Sequence, residues 1–355
     1  MITLEDVLVS DLAKHVVPEE QFTMMLQVSN SVRDNIINQD VPTAITAKHD
    51  MDAGTIMRGL EHVCTQANIT VVDLSGVCIG TVGAHMLAEI LPRCPALVLL
   101  DLRYNRIGAE GAQSLAPGLW QCQSLAHLNL DGNKIQNTGI QSLAPALRQC
   151  RSLAHLNLDG NDIQNTGVQS LAPVLGQCRT LTHLHLHQND IGDEGAERLA
   201  AVLGLCPLLV HLELSWNNIG AEGVGRLAGM LRQCTSLVQL NLRGNDIGYH
   251  GVNHLARVLG ECTSLARLNL SWNNMQAEGA GRLASELPRC RSLSYLDLAG
   301  NQIGIIGAQS FAHVLSQCQS LRTLNIRCNN FNRSEKESIR VMFLHQECPH
   351  IQIHI

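Results

Sequence analysis

Four side chains concentrate the ligand chemistry of this sequence: His183 and His185, then His211 and Glu213, the same two-residue step 28 positions further on. Imidazole nitrogens and a carboxylate are groups that zinc takes, three at a time when a fourth position stays open for water. On adjacent strands, strand spacing and rise would place the four at the corners of a rectangle of about 5 by 7 Å. An open, solvated sheet offers poor outer support for metal ligands, so no metal and no cofactor are expected, and a metal-dependent enzyme is the remotest reading. No other catalytic pattern is present, since G-x-x-x-x-G-K-[ST], G-x-S-x-G, H-E-x-x-H and C-x-x-C are all missing. A non-enzyme is expected, and histidines on such a face more often serve an interface.

What spaces those residues is a repeat. Leu-Ala-His-Leu-Asn-Leu-Asp-Gly-Asn-Lys-Ile at 125–135 returns 28 residues later as Leu-Ala-His-Leu-Asn-Leu-Asp-Gly-Asn-Asp-Ile at 153–163. The closing asparagine stands at 105, 133, 161, 189, 217, 245, 273, 301 and 329, and a cysteine keeps the same register from 94 to 318. The unit L-x-x-L-x-L-x-x-N-x-I, followed by Gly, Leu-Ala and Cys, resembles the leucine-rich repeat. Its length and its Cys and Gly positions are similar to the ribonuclease-inhibitor type, also found in the receptor arms of NOD-like immune proteins. The resemblance implies an α/β fold: a curved solenoid, or horseshoe, of about ten repeats with a parallel concave sheet and convex helices. Fold of this kind says little about function, because one solenoid serves many partners.

Physical chemistry gives the same architecture. Leu128 and Leu130 fall on one face of a strand and His127, Asn129 and Asp131 on the other, while Ala112, Leu115 and Leu119 keep helical spacing in the preceding unit. Parallel strands stack about 4.8 Å apart and packed helices about 8–10 Å, so the stack bends with its strands inside. The asparagines are read as structural, their amides serving backbone groups of neighbouring turns. The column cysteines are read as small buried apolar residues, and Gly111 and its equivalents as points where a helix start passes close to its neighbour. Pro117, Pro145 and Pro173 are expected to shorten or kink three helices.

Function, on this reading, lives in the solvent-facing columns of the concave sheet. The expected partner-binding residues are His127, Asp131, His155, Asp159, His183, His185, His187, His211 and Glu213 toward the first half, and Arg243, Arg267, Tyr295 and Arg327 toward the second. One end is acidic and the other basic, which calls for a partner of opposite polarity. Trp216 and Trp272 stand where most units have Gly and are expected anchors, given the weight of tryptophan at binding hot spots; the other reading folds each ring flat over the neighbouring turn. The resemblance supports anchoring, since ribonuclease inhibitor also holds its ligand with strand-edge aromatics and acids.

Residues 1–45 lie outside the repeat and their apolar spacing is helical. Leu4, Leu8, Leu12, Pro18, Phe22, Leu26 and Val28, with Ser29 and Arg33, resemble an F-box, although Glu5 and Val32 stand where that family has Pro and Trp. The resemblance implies a docking unit for a Skp-type adaptor, and hence a substrate receptor of a ubiquitin ligase; a helical cap over the solenoid end is the alternative. Residues 46–60 are expected to be a connection, 61–355 the solenoid, with a C-terminal cap from about 331. A net charge of −6 and a pI near 6.2, without a basic run, argue against nucleic acid. The longest apolar run, Ala96 to Leu100, is too short for a membrane span, and thirteen cysteines, an odd count, do not suggest a disulfide framework. A cytoplasmic recognition protein is expected, with a stand-alone inhibitor or a NOD-like ligand sensor as the other use of such an array.

Overall fold

The computed structural model describes residues 43–47, 52–64, 68–344 and 350–355. Within them each repeat supplies one short strand, a turn through its asparagine, a helix and a return through its cysteine. The strands are β1 (Thr43–Thr46), β2 (Ile69–Asp73), β3 (Leu99–Asp101), β4 (His127–Asn129), β5 (His155–Asn157) and β6 (His183–His185), then β7 (His211–Glu213), β8 (Gln239–Asn241), β9 (Arg267–Asn269), β10 (Tyr295–Asp297), β11 (Thr323–Asn325) and β12 (Gln352–His354). They form one 12-stranded parallel sheet in sequence order, and its two ends do not meet. The horseshoe expected from the repeat is therefore the fold, with a single apolar core running between sheet and helices.

The asparagine column stitches this core. Asn133 Oδ1 accepts from the backbone N–H of Asn105 at 3.0 Å and of Ile107 at 3.3 Å, and its Nδ2 donates to the carbonyls of Leu102 at 2.8 Å and Leu130 at 2.9 Å. The same set recurs around Asn161, Asn301 and Asn329. All nine are buried, so each amide satisfies turn groups that would otherwise cost about 1–3 kcal/mol apiece unpaired. Cysteine plays the same part more weakly: the Cys150 thiol points at the carbonyls of Leu119 and Ala146, 3.8 and 3.7 Å away. Burial pushes the Cys122 and Cys150 thiols up to about 12, which leaves them inert at neutral pH. At Gly139 a Cβ would lie 2.5 Å from Ile135 Cγ2 and 3.2 Å from the Ala109 backbone, so the close approach expected of this column is real.

Three expectations are corrected. The stretch before the solenoid differs from its expected division: Thr43–Thr46, mostly within the segment expected to be helical, is a strand paired with β2, and the expected connection 46–60 runs into a helix, Ala53–Cys64. The segment lacks the leucine motif, but Thr43, Ile45 and Thr46 are residue types that favour strands, and Ile45, Ile56, Met57 and Leu60 are buried in the shared core. The prolines shorten nothing, since helices Gly108–Trp120, Gln136–Leu147 and Gln164–Leu175 are as long as their neighbours. Pro117, Pro145 and Pro173 are exposed, as are Gln113, Gln141 and Gln169 four residues earlier, so water can take the carbonyl each proline leaves unpaired. The strand predicted over His127 to Asp131 ends at Asn129, although parallel bonding runs on through Leu130 N–H to Asn157 O. At the other end the capping segment carries an amphipathic helix, Arg333–Leu344, which buries Ile339 and Phe343 and precedes β12. Asn332 and Glu335 cap it reciprocally, each backbone N–H bonded to the other's side chain at 2.8 and 2.9 Å.

Candidate partner-binding surface

Strand register places His127, His155, His183 and His211 side by side on β4 to β7, followed by Gln239, Arg267, Tyr295 and Thr323. The first three imidazoles stack, with centroids 4.2 and 4.0 Å apart, and His211 tilts across to within 4.8 Å of His185. Rings this close shield one another from water. Burial, reinforced by neighbouring imidazoles, pushes His155 down to about 3 and His185 to about 4, and burial lowers His127, His183 and His211 as well. The column is a neutral aromatic stack near pH 7, not a row of cations.

The acids beside it are equally committed. Asp159 is pushed up to about 7 by burial, and one of its oxygens accepts from His187 N–H at 2.5 Å. Its other oxygen lies 3.8 Å from His185 Nδ1; with that imidazole neutral, the contact is dipolar and not an ion pair. His187 Nδ1 lies 2.7 Å from Ser215 Oγ. Glu213 accepts from Ser215 N–H at 2.9 Å and from Asn241 Nδ2 at 2.7 Å. The rectangle of His183, His185, His211 and Glu213 therefore exists in register, but its carboxylate is spent on the sheet, and among the described residues no group of three such side chains is arranged to hold a metal ion.

Beyond β8 the surface changes character. Arg243, Arg267 and Arg327 are exposed, and the Arg267 guanidinium lies 4.6 Å from the centroid of the Tyr295 ring, a cation over an aromatic face. Tyr295 in turn donates to Asp297 at 3.2 Å. Asp131 is half-buried in the turn after β4.

Trp216 and Trp272 occupy the position just before the ladder asparagine with φ of 55° and 59°, the left-handed region that explains why most other repeats use glycine there. A Cβ built on Gly244 would stand 2.5 Å from Trp216 Cδ2, and one on Gly300 2.6 Å from Trp272 Cδ2. Each indole thus lies flat on the glycine of the next repeat and keeps its other face to solvent, 48 % exposed in both cases. This is the flat packing over the neighbouring turn, and it leaves one face of each ring open. Sequence reasoning missed a third member, Tyr104, which is 58 % exposed and covers Gly132 in the same way; an aromatic followed by Gly 28 residues later is the signal that finds all three. It also missed an open depression of about 490 Å³ on the rim of the sheet, lined by Asp162, His187, Gln188, Asp190, Trp216 and Asn218.

Leu4, Leu8, Leu12, Pro18, Phe22, Leu26 and Val28 lie outside the described residues. Among those described, no helix is long and apolar enough to cross a membrane.

No curated protein sequence matches the chain. Among solved structures it is similar to the actin-binding site 2 of leiomodin-1, with 16 % identity, a TM-score of 0.32, and 36 % of this chain and 73 % of that one covered. It is also similar to a chain of the yeast Rad7–Elc1 complex, with 15 % identity, a TM-score of 0.39, and 85 % and 88 % covered. The Leucine Rich repeat model matches residues 93–116, 121–144, 149–172, 177–200, 205–228, 233–256, 261–284, 289–312 and 317–332. Those segments span the asparagines at 105 through 329 that bond each repeat to the next, and the chain belongs to the leucine-rich repeat family.

Proposed function

We propose that the protein is a non-enzymatic recognition scaffold that binds a protein partner on the concave sheet. The observation that carries this is the division of one continuous parallel sheet: neutral stacked histidines with half-buried acids on β4 to β7, and exposed arginines after β8. A large, rigid, two-toned surface rimmed by half-exposed tryptophans suits a folded partner better than a small molecule. A photo-crosslinking residue in place of Gln239 on the sheet should capture a partner that the same residue in place of Ile306, exposed on the convex side, does not. Equal capture from both positions would count against the concave face.

The N-terminal segment gives the scaffold its second role, as a substrate receptor that recruits a Skp-type adaptor through Leu4, Leu8, Leu12, Pro18, Phe22, Leu26 and Val28. Support comes from the solenoid end: β1 and helix Ala53–Cys64 already provide the layer against Ile69 and Val72, which relieves earlier residues of capping that repeat. Removing residues 1–40 should leave a solenoid that still captures its target and no longer co-purifies with the adaptor. An intact chain that retains no adaptor at micromolar concentration would leave the stand-alone inhibitor or NOD-like sensor as the better reading.

A further inference from the structure

We propose that the rim depression at Trp216 is a receptor for an arginine side chain of the partner. This rests on the scaffold reading and goes further, naming the chemistry that one subsite selects.

Three observations converge. The outer face of the Trp216 indole is open while its inner face is fixed on Gly244, so the ring presents a rigid π surface that needs no reordering to bind. Asp162 and Asp190 line the same depression and are exposed. Among the described residues neither makes an ion pair; Asp190 accepts only from Asn218 Nδ2, at 2.5 Å. Two unneutralised carboxylates beside an aromatic face call for a cation, and a planar guanidinium can stack on the indole while its fork of N–H donors reaches carboxylate oxygens. The 28-residue period makes this a property of place: the residues after the ladder asparagines read Arg106, Lys134, Asp162, Asp190, Asn218 and Asp246, so the sign of the rim changes where the depression begins.

The molecule supplies its own control two repeats away. Trp272 has the same backbone conformation, the same glycine beneath it and the same exposure. Shifting the lining residues by 56 positions, however, replaces Asp162 by Asn218, His187 by Arg243 and Gln188 by Gly244, and leaves Asp246 as the single acid among them. A cation should therefore choose Trp216.

The test uses the full chain labelled with nitrogen-15, the indole resonances being assigned by Trp→Phe variants, and N-acetyl-arginine amide as probe with neutral N-acetyl-citrulline amide as its isostere. Arginine amide should move the Trp216 indole signal saturably, with about tenfold preference over citrulline amide, should leave Trp272 nearly still, and should lose its effect in D162N/D190N, whose melting temperature should stay unchanged because both positions are exposed. Equal response to the isostere, equal movement of both indoles, or full binding in D162N/D190N would overturn the proposal. Failure here separates from failure of the scaffold reading. A partner captured at position 239 whose affinity ignores D162N/D190N overturns the arginine subsite alone, whereas selective arginine binding in a chain that captures no protein there upholds the subsite and removes the scaffold reading.

Discussion

The two halves of the concave sheet share one frame and differ in how their side chains meet water. On β4 to β6 imidazoles stack at 4.0–4.2 Å and burial disfavours their charged form, while Asp159 and Glu213 accept from backbone N–H groups of the sheet. After β8 the same columns hold exposed Arg243, Arg267 and Arg327, and charge is displayed. Since the asparagine bonds are the same beneath both halves, the frame does not dictate this difference. Side chains in a column are neighbours at strand spacing, so like residues shield one another and change one another's ionisation.

The largest effect should fall on the frame and be blind to the halves. Asn189→Ala and Asn273→Ala each remove an amide that bonds turns of two repeats, and each should cost about 3 kcal/mol in urea unfolding. Asn329→Ala loses a similar set of bonds but has less array beyond it, so its cost should be smaller; equal losses at 189 and 329 would break the coupled-repeat picture.

Next come the anchors. Alanine at Trp216 or Trp272 should weaken partner binding by about 2 kcal/mol, roughly thirtyfold. Each change also uncovers a glycine, so about 1 kcal/mol of stability should go with it. Calorimetric titration against the captured partner, alongside thermal unfolding, reads both; a stability loss without a binding loss would make the rings structural.

Acid should expose the first half selectively. A histidine whose folded pKa lies below about 6.5 takes up protons more readily when unfolded, so stability falls as pH drops from about 6.5 toward the folded values of about 3 for His155 and about 4 for His185. Asp159, raised to about 7, works the other way: it gains stability as pH falls from 7 through the unfolded value near 4. Five lowered histidines outweigh it, and the net slope should be a loss. His155→Gln with His185→Gln should flatten that slope by on the order of 1 kcal/mol per site after solvent screening, whereas Arg267→Gln should not alter it. An unchanged slope in the double variant would show that other groups carry the acid sensitivity.

The smallest effect sharpens the rim. Gly160 and Gly244 both have positive φ, but a Cβ at 160 meets nothing nearer than 3.6 Å while one at 244 strikes Trp216. Gly244→Ala should therefore cost about 1 kcal/mol more than Gly160→Ala, and should alter Trp216 fluorescence. Equal costs would mean that the indole does not rest on the glycine.

The 28-residue period by itself determined the sheet, its register, the burial of the leucines and the work of the asparagines. Each of these follows from identical neighbours stacked at a fixed step, and a periodic sequence states its neighbours outright. His127, His155, His183 and His211 were legible as a column for that reason. Tertiary structure alone decided what breaks the period. Thr43–Thr46 becomes a strand because β2 offers it an edge, not because of any repeat motif of its own. The exposed prolines keep their helices whole because water reaches the carbonyls they vacate. How Trp216 packs depended on the glycine 28 residues later, and the depression beside it depended on side chains from three repeats meeting at one rim. Those outcomes turn on shape and solvent access between unlike neighbours, which a column of letters does not contain until the chain has folded.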